Sequence, residues 1–194
     1  LRPKNMDSLN ALRGLHRSLG NWAELVTLLR KMMRFASEPT DIKELRFDLA
    51  SVLGAEMGKR AEAVETARRV LAIEPHSVEE LARLADIFQD NQAWPEACQV
   101  YNALAERAEG QEQIDSLLKV ATILEDKVSQ PEAAAEAYEK ILAEEPLHPI
   151  AYKNILGIYE DTKSWQALVH LLERKLPHVA ESNEKCELLR RIGQ

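Results

Sequence analysis

Apolar residues recur at three- and four-residue spacing along most of the chain, as in Leu81, Leu84, Ala85 and Phe88. This spacing places apolar side chains on one face of an α-helix. The runs are about a dozen residues long and are separated by short polar stretches, as expected for amphipathic helices joined by turns. The pattern therefore predicts a chain built from helices and turns.

Prolines divide these helices into pairs. Pro95 and Pro131 stand at the first turn of a helix, where a missing amide costs nothing, whereas Pro75 and Pro146 follow apolar runs and end helices. The sequence predicts helix–turn–helix units throughout one domain spanning residues 1–194. We place five pairs and a truncated sixth at about 5–37, 41–77, 78–110, 111–149, 150–182 and 183–194.

The chain also contains an internal duplication. Residues 44–94 align with residues 115–165 at an offset of 71, and the matches include Ala50/Ala121, Leu71/Leu142, Pro75/Pro146 and Trp94/Trp165. The chain's three tryptophans, Trp22, Trp94 and Trp165, lie 72 and 71 residues apart, and each opens a predicted second helix. A ligand-binding residue has no reason to recur at a fixed interval. We therefore predict that all three tryptophans pack in the core, at the turn between the two helices of a unit.

The repeat pattern resembles the tetratricopeptide repeat family over essentially the whole chain. In residues 78–110 the matching positions are Leu81, Leu84, Ala85, Phe88, Trp94, Ala97 and Tyr101. The two units at 41–77 and 111–149 are longer than the family's usual repeat, and this alternation resembles long bacterial arrays. The resemblance implies an all-α fold, an α-solenoid wound as a right-handed superhelix, in which neighbouring units cover each other's apolar faces. It also implies a protein-interaction scaffold that binds a peptide segment or partner protein on its concave surface.

Composition and charge narrow the possible partners. The formal net charge of −7 argues against nucleic acid, and no apolar run approaches the length of a membrane span. Residues 1–35 carry seven Lys or Arg and two Asp or Glu, so this end is basic and the remainder is acidic. Two interpretations stay open: both ends are solvated faces, or the basic end meets an acidic neighbour.

The cysteines and the chain ends bear on where in the cell the protein is found. Cys98 and Cys186 fall in different units and suggest free thiols, which favours a reducing compartment and hence the cytoplasm. The chain starts without a signal-like run and ends inside a helical pattern, so we expect a piece of a longer protein. A periplasmic location stays open for that reason.

Residues that could carry chemistry are sparse. The five histidines, His16, His76, His148, His170 and His178, make no metal-ligand spacing, and we expect all five to be exposed on loops or surfaces. Carboxylates are numerous, but nothing places a pair of them around a closed pocket. We therefore expect no enzymatic activity, no metal and no cofactor.

The remaining candidate site is the concave surface, lined by first-helix residues that point away from the second helix. Phe47 is among the residues expected there. The candidate partner-binding residues are Glu79, Asp86, Gln89, Thr122, Glu125, Lys153 and Glu160. Their acids, on successive units, would favour a basic segment of a partner.

Two other functional interpretations remain. The chain would be a regulatory or sensor module attached to an enzymatic or DNA-binding domain outside residues 1–194, or an architectural array that dimerises through its ends. The predicted oligomeric state is accordingly a monomer or an end-to-end dimer.

Overall fold

The structure, a computed structural model, describes residues 6–178 together with Arg190. Its helices are α1 Met6–Ser18, α2 Trp22–Met33, α3 Pro39–Ser51, α4 Arg60–Leu71, α5 Val78–Asp90, α6 Trp94–Ala105, α7 Gln111–Ile123, α8 Pro131–Glu144, α9 Pro149–Asp161 and α10 Trp165–Lys175. A short 3₁₀ turn follows at Leu176–His178. The described residues contain helices and no strand, which confirms the predicted all-α fold. The predicted sixth unit, 183–194, lies outside the described residues apart from Arg190.

Two compact units make up the chain, residues 1–100 and residues 101–194, and the division falls within α6. In the first unit α2 packs on α1 and α3, and α4 packs on α3 and α5. In the second unit α8 packs on α7 and α9, and α9 packs on α10. Within each unit, therefore, helices pack in the order of the chain, as they do in an α-solenoid of helical repeats.

The interior of each unit is built from the apolar faces that the spacing predicted. Leu25, Leu29 and Met32 of α2 pack together with Leu49 of α3 in the first unit. In the second unit Tyr138, Ile141, Leu142 and Ile155 have side chains that are essentially fully buried. Helices α2, α3, α8 and α9, which carry these residues, each pack on two neighbours, so their apolar faces are enclosed.

Each of the two longer repeats ends its first helix in a π-helical turn. These turns cover Val52–Glu56 after α3 and Leu124–Val128 after α7. In the first of them the Met57 amide donates to the Val52 carbonyl at 3.1 Å, a bond that spans five residues instead of four. A π-helical turn holds an extra residue without breaking the helix. It therefore accounts for part of the extra length in these repeats.

A left-handed residue precedes every second helix by two positions. The five are Gly20, Gly58, Gln92, Ser129 and Lys163, with φ of 68°, 64°, 60°, 57° and 55°. A left-handed conformation costs a residue with a side chain roughly 1–2 kcal/mol, so glycine suits the position and occurs at two of the five. The turn between the helices of a pair is thus one repeated conformation, and it places Trp22, Trp94 and Trp165 at the first position of their helices.

The three tryptophans share that position but not the same environment. Trp22 is half-buried and packs on a core cluster that includes Leu45 and Val52 of the following repeat. Trp94 is also half-buried, whereas Trp165 is 57% exposed, so the core prediction is wrong for Trp165. The element that would cover Trp165 as α3 covers Trp22 was predicted at 183–194, outside the described residues.

The prediction that the histidines are exposed is wrong for His76 and His148, each only 7% exposed. The His76 ring donates from Nε2 to the Leu71 carbonyl at 2.9 Å. His148 caps α9, because its Nδ1 accepts the amide of Ala151 at 3.2 Å. Both rings are buried because they bond to nearby backbone groups. Of the other three, His16 is half-buried, and His170 and His178 are exposed as predicted.

A buried lysine joins α3 to the start of α5. Lys43 is 5% exposed, and its Nζ donates to a Glu80 carboxylate oxygen at 2.9 Å and to the Pro75 carbonyl. Glu80 also accepts the Ser77 amide at 3.1 Å, as part of a capping box at the start of α5. Burial raises the pKa of Glu80, but the bonds from Lys43 and Ser77 outweigh it and hold the pKa below its ordinary value. This junction therefore fixes two first helices relative to each other within the first unit.

Candidate partner-binding groove

In the first unit, helices α1, α3 and α5 line a groove. It consists of two cavities of about 550 and 480 Å³, and Arg17 lines both of them. Their apolar lining includes Leu45, Val52, Ile87 and the half-buried face of Trp22. We call this region the first-unit groove.

Two arginines of α1 pair with the same acid inside the groove. Nε of Arg13 and Nη2 of Arg17 each lie 3.3 Å from a carboxylate oxygen of Asp48 on α3. Outside the groove, Arg30 of the same basic end pairs with Glu62 at 2.9 Å. The acidic neighbour of the basic end is therefore supplied by this chain itself.

The third arginine of the groove, Arg83, also has partners within the chain. Arg83 donates to Glu44 at 2.7 Å, and its guanidinium carbon lies 4.0 Å above the centre of the Phe47 ring. Phe47, expected on the concave surface, is 1% exposed. Phe47 does line the groove, as predicted, but Arg83 covers its ring, so almost none of its surface is open to a partner.

Four carboxylates of the groove have no such partner. Asp41, Glu56, Asp86 and Asp90 are exposed, and none makes a hydrogen bond or ion pair within the described part of the chain. Together with Glu44 and Asp48, the groove has six carboxylates against three arginines, a formal charge of −3. The groove is therefore acidic, although it includes part of the basic end of the chain.

Three of the candidate site residues belong to α5. Asp86 lines the groove. Gln89 is half-buried, and Glu79 is exposed in the first turn. A hydrogen bond from the Glu79 backbone amide, and a second from the Ser77 hydroxyl, lower the pKa of Glu79. Glu79 is thus ionised at the N-terminus of α5, a position where a negative charge stabilises a helix, and it does not line either groove cavity.

Glu125, in the second unit, is not a free charge. Its carboxylate accepts the Tyr138 hydroxyl at 2.9 Å, and that hydroxyl accepts the Asn154 side-chain amide at 2.8 Å. Burial, aided by the Glu125 carboxylate, raises the pKa of Tyr138 to about 12. Glu125 thus belongs to a polar network that connects α8 and α9.

The other candidate residues of the second unit lie on α7 and α9. Thr122 is exposed, and its hydroxyl donates to the Leu118 carbonyl at 2.8 Å. Lys153 and Glu160 are exposed on α9. That these residues bind a partner stays a prediction.

Sequence reasoning missed three of the four free carboxylates. Asp90 could have been found, because it lies four residues after Asp86 and hence on the same face of α5. Asp41 lies at the N-terminus of α3, and Glu56 reaches the groove from the π-helical turn. No local pattern would have assigned Glu56 to this surface.

Among the residues that the structure describes, no group of three or more His, Cys, Asp or Glu side chains could hold a metal ion. Within the same residues, every helix is too short or too polar to cross a bilayer.

Comparisons with known proteins address the fold and the family. A family model of the tetratricopeptide repeat matches residues 8–43. A crystal structure of MamA protein is similar, with a TM-score of 0.52 and 18% identity over 88% of this chain and 90% of that one. So is a MamA RS-1 ArsTM double mutant, with a TM-score of 0.52 and 16% identity over 95% and 94% of the two chains.

A third similar structure is a tetratricopeptide repeat protein from Parabacteroides merdae ATCC 43184, with a TM-score of 0.55. It is 14% identical over 96% of this chain and 73% of that one. No curated protein matches the sequence. These structural likenesses concern the fold, and the matched repeat concerns the family. Residues 8–43 thus match a tetratricopeptide repeat, and the chain shares the fold of a solved tetratricopeptide repeat protein.

Proposed function

We propose that this protein-interaction scaffold binds a basic segment of a partner protein in the first-unit groove. Stacked helix pairs present extended surfaces on which several repeats contact one ligand, which is how repeat proteins bind their partners. The groove between α1, α3 and α5 is such a surface, because each of these helices contributes side chains to it.

The charge pattern of the groove is the observation that carries this proposal. Each of its arginines is already paired with a carboxylate of the groove, whereas Asp41, Glu56, Asp86 and Asp90 are not. Lysine or arginine side chains of a partner would meet free carboxylates without displacing an existing ion pair. An acidic partner would meet repulsion from the same groups.

The proposed ligand also has an apolar component. Trp22 exposes part of its ring in the groove, and Val52 and Ile87 lie beside it. Such a surface can accept an apolar side chain or the aliphatic stem of a lysine, and the indole face attracts cations. A segment in which basic residues alternate with apolar ones fits both features.

Several contacts must act together, because one exposed ion pair contributes only about 0–1 kcal/mol. The expected binding is therefore modest in affinity and sensitive to salt. The negative groove would also speed the approach of a basic segment.

Fluorescence anisotropy with two labelled peptides tests the proposal. One peptide alternates lysine with leucine, and the other carries glutamate in place of each lysine. The lysine peptide should bind, with an affinity that falls as salt rises. The double reversal Asp86→Lys and Asp90→Lys should weaken this binding at least tenfold.

A matched double reversal provides the control. Glu24 on α2 and Glu173 on α10 are exposed, lie outside the groove and have no ion-pair partner among the residues that the structure describes. Glu24→Lys with Glu173→Lys therefore changes the net charge by the same amount. The control should retain most of the affinity, and both variants should unfold at the same temperature as the parent. Equal binding of the two peptides, or equal losses in the two variants, would refute binding in this groove.

A further inference from the structure

A glycine interrupts the side of α1 that faces the groove. Gly14 lies in the interior of α1, a helix of 13 residues, and it lines the first cavity of the groove. Glycine destabilises a helix interior relative to alanine, because it loses more conformational freedom on folding. The backbone of Gly14 is not left-handed and the helix does not end there, so neither a turn nor a cap requires glycine.

Packing within the chain does not require this glycine either. Apart from its chain neighbours and the backbone of α1 itself, no atom of the described residues would lie within 4 Å of a Cβ at Gly14. Gly54 is the contrast, because a Cβ there would lie 2.6 Å from the Asn91 side chain. An alanine would therefore fit at position 14, and the described contacts give no reason for its absence.

The same register position faces the groove in all three of its helices. Gly14 lies eight residues before the start of α2, and Asp86 lies eight residues before the start of α6. In α3 the π-helical turn adds one residue, so the equivalent is Ser51, nine residues before α4. Asp86 and Ser51 both line the second cavity. Among these three helices, only α1 has no side chain at this position, so its backbone is open to the groove.

The surroundings of this opening indicate which kind of group could fill it. Arg13 and Arg17 lie next to it on α1, and both direct their guanidinium groups to Asp48 at 3.3 Å. A lysine ammonium group in the opening would meet these two like charges. The half-buried Met6 and Leu45 line the same cavity. The opening therefore suits an apolar side chain.

Free carboxylates are available in both cavities. Asp41 lines the first cavity, and the other three free carboxylates line the second. Arg17, one turn after Gly14, lines both cavities. A segment that occupies both cavities can place basic residues at the carboxylates of each and an apolar residue over Gly14.

We infer that Gly14 is a specificity-determining residue of the groove, because the bound segment packs a bulky apolar side chain against the backbone of α1 there. Glycine is the residue that permits such a close approach of a ligand to the backbone. This inference rests on the proposed function, which supplies the basic segment and its acidic partners. It adds a requirement for a large apolar residue in that segment, which charge alone does not impose.

Substitution by alanine separates binding from stability. Gly14→Ala should raise the melting temperature by about 1–4 °C, because alanine favours the helix and fits the site. The same variant should bind the peptide that alternates lysine with leucine at least about threefold more weakly in fluorescence anisotropy, and Gly14→Leu at least about tenfold. A residue that served only the fold would not gain stability while losing affinity.

Gly157 on α9 provides the matched control. It also lies eight residues before the tryptophan that opens the next helix, and a Cβ there would likewise have no described atom within 4 Å. Gly157 lines neither cavity of the groove. Gly157→Ala should therefore raise the melting temperature by a similar amount and leave the affinity for the peptide unchanged.

A second peptide, with alanine in place of each leucine, tests the apolar contact. It should bind the parent protein more weakly than the leucine peptide does. Because its side chains are too small to fill the opening, Gly14→Ala should change its affinity less than it changes that of the leucine peptide.

The outcomes separate this inference from the proposed function. If the leucine peptide does not bind the parent protein, both fail. If it binds, and loses affinity in the double reversal of Asp86 and Asp90 but not in Gly14→Ala, only this inference is overturned. Equal losses of affinity in Gly14→Ala and Gly157→Ala, or a lowered melting temperature of Gly14→Ala, would also overturn it.

Discussion

Replacing Lys43 with methionine tests how strongly the buried junction between α3 and α5 holds the first unit together. Methionine keeps the unbranched stem of lysine but removes the ammonium group. The Glu80 carboxylate then loses its partner in a site where Lys43 is 5% exposed, and the Pro75 carbonyl loses a donor. We expect the free energy of unfolding to fall substantially.

The magnitude follows from the burial of the two partners. Removing one member of a fully buried ion pair typically costs 3–5 kcal/mol. The Glu80 side chain is 22% exposed, so water can solvate part of the orphaned charge. Glu80 also keeps its hydrogen bond from the Ser77 amide. These two features reduce the expected loss to about 2–3 kcal/mol, the range of one hydrogen bond to a charged group.

Urea denaturation, followed by far-UV circular dichroism and tryptophan fluorescence, measures the effect. Lys31→Met is the control, because Lys31 is exposed on α2 and pairs with none of the described residues. It should change stability by less than about 0.5 kcal/mol. Adding Glu80→Gln to Lys43→Met should cost less than the sum of the two single changes, because the orphaned charge disappears. A loss of no more than the control's, or strict additivity, would show that the pair contributes nothing.

The same junction predicts a pH dependence. Folding lowers the pKa of Glu80 from an ordinary value of 4.5. Its contribution to stability is therefore fully present above that value and is lost as the pH falls through the lower folded-state pKa. In Lys43→Met, stability should therefore fall less steeply at acidic pH than it does in the parent protein. An unchanged pH dependence would show that other carboxylates cause the loss of stability at low pH.

Further predictions concern substitutions at four positions, each measured by thermal and urea unfolding. Gly54→Ala should destabilise the first unit by about 1–2 kcal/mol, because the new Cβ would lie 2.6 Å from the Asn91 side chain; adding Asn91→Ala should restore most of the loss. His148→Ala should cost about 1 kcal/mol by removing the cap of α9, whereas His148→Asn should retain the cap. Trp22→Ala should cost about 2–3 kcal/mol, below the 3–5 of a fully buried aromatic. Trp165→Ala should stay within about 0.5 kcal/mol, because this side chain is 57% exposed; equal losses at the two positions would contradict the packing described here.

The amino-acid sequence by itself determined the helices, their pairing and the repeat. These depend on local information: the spacing of apolar residues, the prolines at helix starts and exits, and the recurrence of the same residues after 71 positions. It also indicated an acidic surface on α5, where Asp86 lines the groove. Each of these features can be seen within one turn of helix, within one repeat, or by aligning one stretch of the sequence with another.

Tertiary structure alone decided which charges remain free to bind. Arg83 pairs with Glu44 across 39 residues, and Lys43 reaches Glu80 across 37. The sequence predicted Glu125 as another acid of the concave surface, but in the structure it accepts a hydrogen bond from a tyrosine hydroxyl. An ion pair depends on which helices lie side by side and on how each helix is rotated about its own axis. A π-helical turn adds one residue to a helix and therefore changes which side chains face its neighbour. Apolar spacing repeats and can be read along the chain, whereas a charge acquires its partner only when distant helices pack.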